Sequence, residues 1–345
     1  MVPETARKSP PESAVPSRVP FEHGFVPRAW LRNGHLQTLG GALLPRRHIL
    51  PAPEARLVAV AEDTRVLCHC HWQSERSRAL TLVTVHGLEG SSSSQYMIGT
   101  ANKAWAAGMN VVRMNMRNCG GTENLTPTLY NSSMSSDVAA VVHNLIADEK
   151  LSRVAVAGFS MGGNLVMKCA GEWGREAPPQ VEAVCAISPA MDLAASADAL
   201  HLPANRPYEW AFLLGLHERL ARKARLFPSL YRSYPLLSIG SLREFDDRIT
   251  APHGGFTGAA DYYARASASR LVERIALPAL VIYAQDDPFI VLTADTRARI
   301  EANPRITLIE TRHGGHCGFL ASPDGYDGRW AERLMVTFLQ KINRA

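Results

Sequence analysis

Arg153-Val-Ala-Val-Ala-Gly158-Phe-Ser160-Met-Gly162-Gly-Asn-Leu-Val-Met-Lys-Cys-Ala170 is the stretch on which the reading of this chain turns. It begins as a short apolar run of strand character and ends as a helix-forming run, with Gly-x-Ser-x-Gly between them. A strand that gives way to a helix so abruptly makes a sharp, crowded turn, and the residue at its apex lifts its side chain clear of the sheet. Glycines two residues either side of the apex remove the Cβ atoms that would clash there. The helix behind the turn points its N-terminus at Ser160 and favours negative charge beside it. In a chain with 25 glycines the motif alone is weak. Its place between strand and helix makes Ser160 a candidate nucleophile rather than an inert turn residue.

The same rhythm repeats on both sides of this stretch. Apolar runs that read as strands lie at Leu80 to Val85, Asn110 to Met116, Val181 to Ile187, Ala279 to Ala284 and Ile306 to Glu310. Apolar residues at helical spacing lie at Tyr96 to Ala107, Ser135 to Glu149, Gly162 to Trp173 and Trp330 to Ile342. Alternation of this kind indicates βαβ units and an α/β fold with a mainly parallel sheet covered on both faces. Between Ser188 and Leu277 the rhythm stops, and prolines 203, 207, 228, 235 and 252 interrupt a stretch that reads as largely helical. An insertion between two sheet strands, beyond the edge where open α/β sheets bind ligands, is placed to be a cap. The reading is therefore a disordered tail over 1–20, with five prolines, then core over 21–187, cap over 188–277 and core over 278–345.

A serine hydroxyl needs a base to take its proton, and the base needs an acid to hold its tautomer. Where the serine stands on such a turn the order along the chain is serine, acid, histidine. Two strands downstream end in suitable pairs: Asp286-Asp287-Pro288 follows Ala284, and His313-Gly-Gly-His316 follows Thr311. Asp287 stands at the spacing preferred for the acid, and His316, flanked by Gly315, Cys317 and Gly318, lies in the more open loop. His313, nearer the strand, reads as structural. An acyl-transfer oxyanion also needs donors, expected from the backbone N–H of Leu88 in His86-Gly-Leu-Glu-Gly90 and of Met161, with Gly87 as the alternative in the first loop. His86 itself reads as a structural residue.

Composition bounds these readings. The 345 residues are 46% apolar and 20% charged, which excludes wholesale disorder, collagen and coiled coil. No apolar run approaches the roughly 18 residues of a membrane helix, and Met1 to Lys8 leads into no apolar signal core. The net charge of +5 is scattered, without the basic stripe of a nucleic-acid binder. The densest basic stretch, His217 to Arg232, reads as the solvated face of a helix, with peripheral membrane contact through the cap as the other reading. Six cysteines without framework spacing, and no signal, point to a reduced, cytoplasmic chain. Cys68-His-Cys-His71 carries metal-capable groups, but strand alternation puts the cysteines on one face and the histidines on the other, where four ligands cannot close on one ion.

Together with Asn33-Gly-His-Leu-Gln-Thr38, Arg117-Asn-Cys-Gly-Gly121, Asp286-Asp-Pro-Phe289 and His313-Gly-Gly-His-Cys-Gly-Phe319, these motifs resemble the YheT-like branch of the α/β-hydrolases. That bacterial branch is related to the eukaryotic abhydrolase-domain 1 and 3 proteins. The resemblance implies an α/β-hydrolase fold with a mainly parallel eight-stranded sheet, helices on both faces and a helical cap. It implies carboxylic-ester hydrolysis, with Ser160, Asp287 and His316 on the family's triad. The loop after Arg117 departs from the Gly-Cys-Ser-Gly more usual among relatives, and the eukaryotic membrane anchor has no counterpart in this sequence. Asn33 to Thr38 marks the branch without a physical role legible in it, and His35 reads as a packing residue.

The expected chemistry is two-step acyl transfer to water on a small-molecule ester, needing no cofactor or metal. The Leu, Trp and Tyr content of the cap favours apolar, short- to medium-chain acyl groups. An acyltransferase using the same triad with an alcohol acceptor, and a silent binding protein on the same fold, remain alternatives. Chemistry through a carboxylate nucleophile is excluded by Ser160. Oligomeric state is not legible.

Overall fold

The computed structural model of the chain describes residues 24–232 and 234–342; the tail expected over 1–20 lies outside them. Eight strands form one sheet: β1 (Glu54–Ala61), β2 (Thr64–His71), β3 (Thr81–Val85), β4 (Asn110–Met114), β5 (Val154–Phe159), β6 (Val181–Ile187), β7 (Ala279–Ala284) and β8 (Ile306–Thr311). Their spatial order is β1-β2-β4-β3-β5-β6-β7-β8. β2 runs antiparallel to both β1 and β4, and every pairing from β4 to β8 is parallel. This is the mainly parallel eight-stranded sheet of the sequence reading. β1 is the strand that the hydrophobic pattern does not disclose: it lies at the edge, and only Val58 of its eight residues is buried.

Helices α1 (Gly34–Leu43), α2 (Gln95–Ala106), α3 (Ser135–Glu149) and α4 (Met161–Trp173) precede β6. Alternate residues of the central strands feed opposite faces of the sheet, which is why those strands read as unbroken apolar runs. Val83, Val85, Val154, Val156 and Val281 pack with Val138, Val141 and Leu145 of α3 and Leu165 of α4. Leu82, Ala155, Ala157, Phe159, Leu280 and Ile282 face the other way, against Met97 and Ala101 of α2. In β2, Cys68 and Cys70 enter the first of these cores, while His69 Nδ1 meets Ser92 Oγ at 2.9 Å and His71 Nε2 accepts from Arg113 at 3.2 Å. Burial pushes the Cys70 thiol up to about 12.

Between β6 and β7 lie α5 (Leu193–Leu200), α6 (Arg206–Leu226), α7 (Leu242–Phe245), α8 (Ala251–Gly254) and α9 (Ala259–Ala266), with no strand among the described residues. α7 continues through a π-helical turn at Asp246–Thr250, where Ala251 N–H bonds to Asp246 O just before Pro252, which has no N–H to give. α10 (Ala294–Ala302) and α11 (Trp330–Ile342) follow, the latter covering the α2 face with Met335, Phe338 and Leu339.

His217 to Arg232 is not the solvated basic face that its composition suggests, because two of its cations point inward. Leu213, Leu216 and Leu220 of α6 form an apolar cluster with Phe245 and Ile249, and Arg219 and Lys223 lie on the same helical stripe. Both are buried. Arg219 grips Glu89 and the carbonyl of Asn118; Lys223 donates to the carbonyls of Glu123 and Thr126. Arg222 reaches Glu123 at 2.9 Å from a part-exposed position, and Glu218, Arg225 and Arg232 are the fully exposed charges of the stretch. The inward cations fasten the segment to the core and are not available to a membrane surface.

Candidate active site

Ser160 stands between β5 and α4 with φ 54° and ψ −120°, a strained conformation for a residue with a side chain. The flanking glycines are sterically required. A Cβ on Gly158 would stand 2.1 Å from the carbonyl oxygen of Gly162, and one on Gly162 would stand 2.4 Å from those of Val85 and His86. Ser160 N–H donates to Ile187 O at 3.0 Å, tying the turn to the end of β6.

The two acidic and two basic candidates sort into two pairs. His316 Nδ1 meets Asp287 Oδ2 at 2.8 Å, and the Asp287 side chain is fully buried. Asp287 Oδ1 accepts from the N–H groups of Phe289 and Ile290 at 3.2 and 2.9 Å, so the carboxylate is held on both oxygens. Asp286 turns to the other histidine, with Oδ2 3.4 Å from His313 Nδ1, and its Oδ1 accepts from Gly315 N–H at 2.8 Å. With Nδ1 committed to Asp287, His316 leaves Nε2 as the nitrogen free to take a proton. Nε2 makes no hydrogen bond to Ser160 and lies 3.8 Å from Cys317 Sγ. Burial lowers the His316 pKa, the neighbouring Cys317 side chain and the Asp287 carboxylate raise it, and the net direction is upward.

The loops that carry these groups are joined. Cys317 N–H donates to Ser188 Oγ at 3.1 Å, one residue beyond the Ile187 carbonyl that holds Ser160. The Phe289 ring packs 4.5 Å from the His316 ring and lines a cavity together with Ser160. That cavity encloses about 740 Å³ including its open mouth. Its apolar wall comes from Leu88 and Met161 of the core and Leu193, Leu200, Phe212 and Leu216 of the segment between β6 and β7.

Leu88 follows β3 in the loop above Ser160. Gly87 N–H is spent on Tyr96 Oη at 2.9 Å, whereas the N–H groups of Leu88 and Met161 have no hydrogen-bond partner among the described residues. His86 accepts Met116 N–H on Nε2, so its Nδ1–H donates to Gly87 O; burial takes its pKa down to about 4, and it is a neutral structural residue. The loop is fastened from outside: Glu89, at φ 55°, accepts Arg219 of α6 on both oxygens at 3.1 Å and Tyr130 Oη–H at 2.5 Å. The sequence reading contains both stretches but gives Glu89 and Arg219 no joint role, because their pairing spans 130 residues.

The Asn33 to Thr38 motif also has a place. Asn33 caps α1, its Oδ1 accepting from His35 and Leu36 N–H. Thr38 Oγ1 donates to Gly34 O at 2.7 Å and accepts His316 N–H at 2.9 Å. Gln37 bridges Leu31 and Leu320. His35 stacks on Tyr208 with centroids 5.7 Å apart, and Tyr208 packs in turn on Phe289.

Residues 81–323 match the profile of the alpha/beta hydrolase fold. YheT of Escherichia coli strain K12, an esterase by name, is 31% identical over 91% of this chain and 92% of its own. Mouse phospholipase ABHD3 is 28% identical over 76% of this chain and 64% of its own. Among solved structures, Est1E from Butyrivibrio proteoclasticus superposes with a TM-score of 0.54 at 14% identity, covering 84% of this chain and 99% of that one. With its fold, its profile match and its near full-length likeness to YheT, this chain belongs to the α/β-hydrolase family, in the branch of YheT and the ABHD3 phospholipases.

Proposed function

We propose that the protein is a serine carboxylesterase acting through Ser160, His316 and Asp287. The observation that carries this reading is the lining of a largely apolar cavity by Ser160 on its strained turn, with the hydrogen-bonded His316–Asp287 pair joined to the same strand ends. Ser160 Oγ attacks the ester carbonyl while His316 Nε2 takes its proton, through a contact that catalytic pairs often complete only around substrate. Asp287 holds the imidazole in the required tautomer and stabilises the imidazolium. The unspent N–H groups of Leu88 and Met161 stabilise the oxyanion, and the α4 N-terminus adds its dipole. The alcohol leaves with the proton, and water activated by His316 releases the acid.

Residues 188–277 act as the cap in this reading, and the apolar wall they contribute suits short- to medium-chain acyl groups. The names of YheT as an esterase and of ABHD3 as a phospholipase support ester chemistry. The six cysteines are free and five are buried, which suits a reducing cytoplasm.

The test is hydrolysis of p-nitrophenyl esters of increasing chain length by the wild type and by Ser160→Ala, with ethanol added in parallel. The expected result is turnover with a medium-length optimum and a loss of about 10³-fold or more in the variant. Formation of ethyl ester in place of acid would favour acyl transfer. Equal turnover by the variant would refute the proposal.

A further inference from the structure

We infer that α1, through Thr38 and Gly34, is a positioning element that fixes the His316 loop and the Asp287 loop relative to one another. This rests on the esterase reading for its consequence but on geometry for its substance. Thr38 Oγ1 spends its proton on Gly34 O, which leaves its lone pairs to accept the backbone N–H of His316 itself. Without that acceptor a part-buried N–H at the base would lack a partner, and the loop would have to shift to find one. At the start of the helix, Gly34 lies against the residue before the acid: a Cβ there would stand 1.9 Å from Asp286 O. The opposite contact is as close, since a Cβ on Gly315 would stand 2.3 Å from Gly34 O. Two turns later a Cβ on Gly41 would meet Gly318 Cα at 2.7 Å.

The helix thus touches the acid loop at Asp286 and the histidine loop at Gly315, His316 and Gly318. Asp286 closes the triangle by accepting Gly315 N–H, and Gln37 pins the exit of the histidine loop through both the N–H and the carbonyl of Leu320. The backbone of that loop is strained, with Cys317 at φ 56° and Phe319 at φ 42°, so it needs external support to keep one conformation. This gives the Asn33 to Thr38 motif a role: Asn33 starts the helix, Gly34 permits the approach, Gln37 and Thr38 make the bonds. Thr38 touches neither substrate nor reacting atoms and is a positioning residue.

The test compares Thr38→Val, which keeps the shape and removes the acceptor, with Thr38→Ser, which restores it, and with Thr38→Ala in case the valine variant does not fold. Two readings are taken from each folded variant: kcat and KM on a p-nitrophenyl ester, and the downfield proton resonance of the His316 Nδ1–H bonded to Asp287. The expected result is a fall in kcat of about 10- to 100-fold in Thr38→Val with KM changed by less than about twofold. The resonance is lost or broadened in parallel, and both readings recover in Thr38→Ser. Wild-type kcat and an unchanged resonance in Thr38→Val or Thr38→Ala would overturn the inference. If the wild type hydrolyses no ester, the esterase reading fails while the resonance still decides the role of α1.

Discussion

Ser160 holds a backbone conformation that only its surroundings justify, and those surroundings are made of carbonyl oxygens rather than of adjustable side chains. Gly162→Ala is therefore expected to destabilise the protein by about 3 kcal/mol or more, or to prevent folding, as read by urea denaturation. Gly240→Ala, whose added carbon would have only a 3.8 Å contact, is expected to leave stability unchanged. A second consequence concerns His316. A base works unprotonated, and the net upward pull on its pKa moves the acid limb of kcat/KM above the 6.5 of a free imidazole. A profile of kcat/KM between pH 5 and 10 checks this, and a limb at or below 6.5 contradicts it. Asp287→Asn removes one source of that pull and the tautomer control together, with an expected loss of about 10³- to 10⁴-fold in kcat.

At this scale the sequence was informative where the constraint is local. Gly158, Ser160 and Gly162 act on one another within a few residues, so their chemistry shows in their spacing. The choice between Asp286 and Asp287, or between His313 and His316, depends on which loops meet in space. Spacing favours Asp287 and His316, and the structure pairs these two with each other and Asp286 with His313.

Among the elements, α6 and α1 are where sequence reading stops short. The Leu213, Leu216 and Leu220 stripe announces an amphipathic helix, but the same stripe carries Arg219 and Lys223 inward, onto acceptors that lie about a hundred residues away in sequence. No local pattern distinguishes such cations from solvated ones. Their role follows from the contacts: Arg219 holds Glu89, next to Leu88, and so ties the segment over the cavity to the loop expected to bind the oxyanion. Removing Arg219 leaves the half-buried Glu89 carboxylate with Tyr130 but without its cation, so Arg219→Met is expected to cost about 2–3 kcal/mol in chemical denaturation. Adding Glu89→Gln to Arg219→Met should recover part of that loss, because the orphaned charge is removed. A double variant no more stable than Arg219→Met would contradict the pairing. α1 escaped for the same reason, since Thr38 and His316 are 278 residues apart.

For the whole molecule, the parallel sheet was legible because strands buried on both faces are written as apolar runs, whereas exposed β1 at the sheet edge was not. The largely apolar cavity between the sheet edge and α5 to α9 has one carboxylic acid in its lining. Asp246, on the π-helical turn, accepts Tyr263 Oη–H at 2.7 Å, and burial lifts its pKa to about 6. A carboxyl raised in the folded state binds its proton more tightly there than in the unfolded chain. Its contribution to stability is therefore present below about pH 4 and lost as pH rises through about 6, on the order of 3 kcal/mol. Asp246→Asn, which keeps an acceptor for Tyr263, should raise Tm at pH 8 and have little effect at pH 4.5. Thermal melts at the two values check this, and an equal shift at both would refute it.

Acylation of Ser160 is the step on which the proposed chemistry stands, and mass spectrometry reads the reactivity of that residue. Purified wild-type protein treated with a fluorophosphonate is expected to gain one adduct on the peptide containing Ser160. Ser160→Ala should gain none, and Asp287→Asn should react far more slowly. An unlabelled wild type, or an adduct carried on a different residue, would contradict the account.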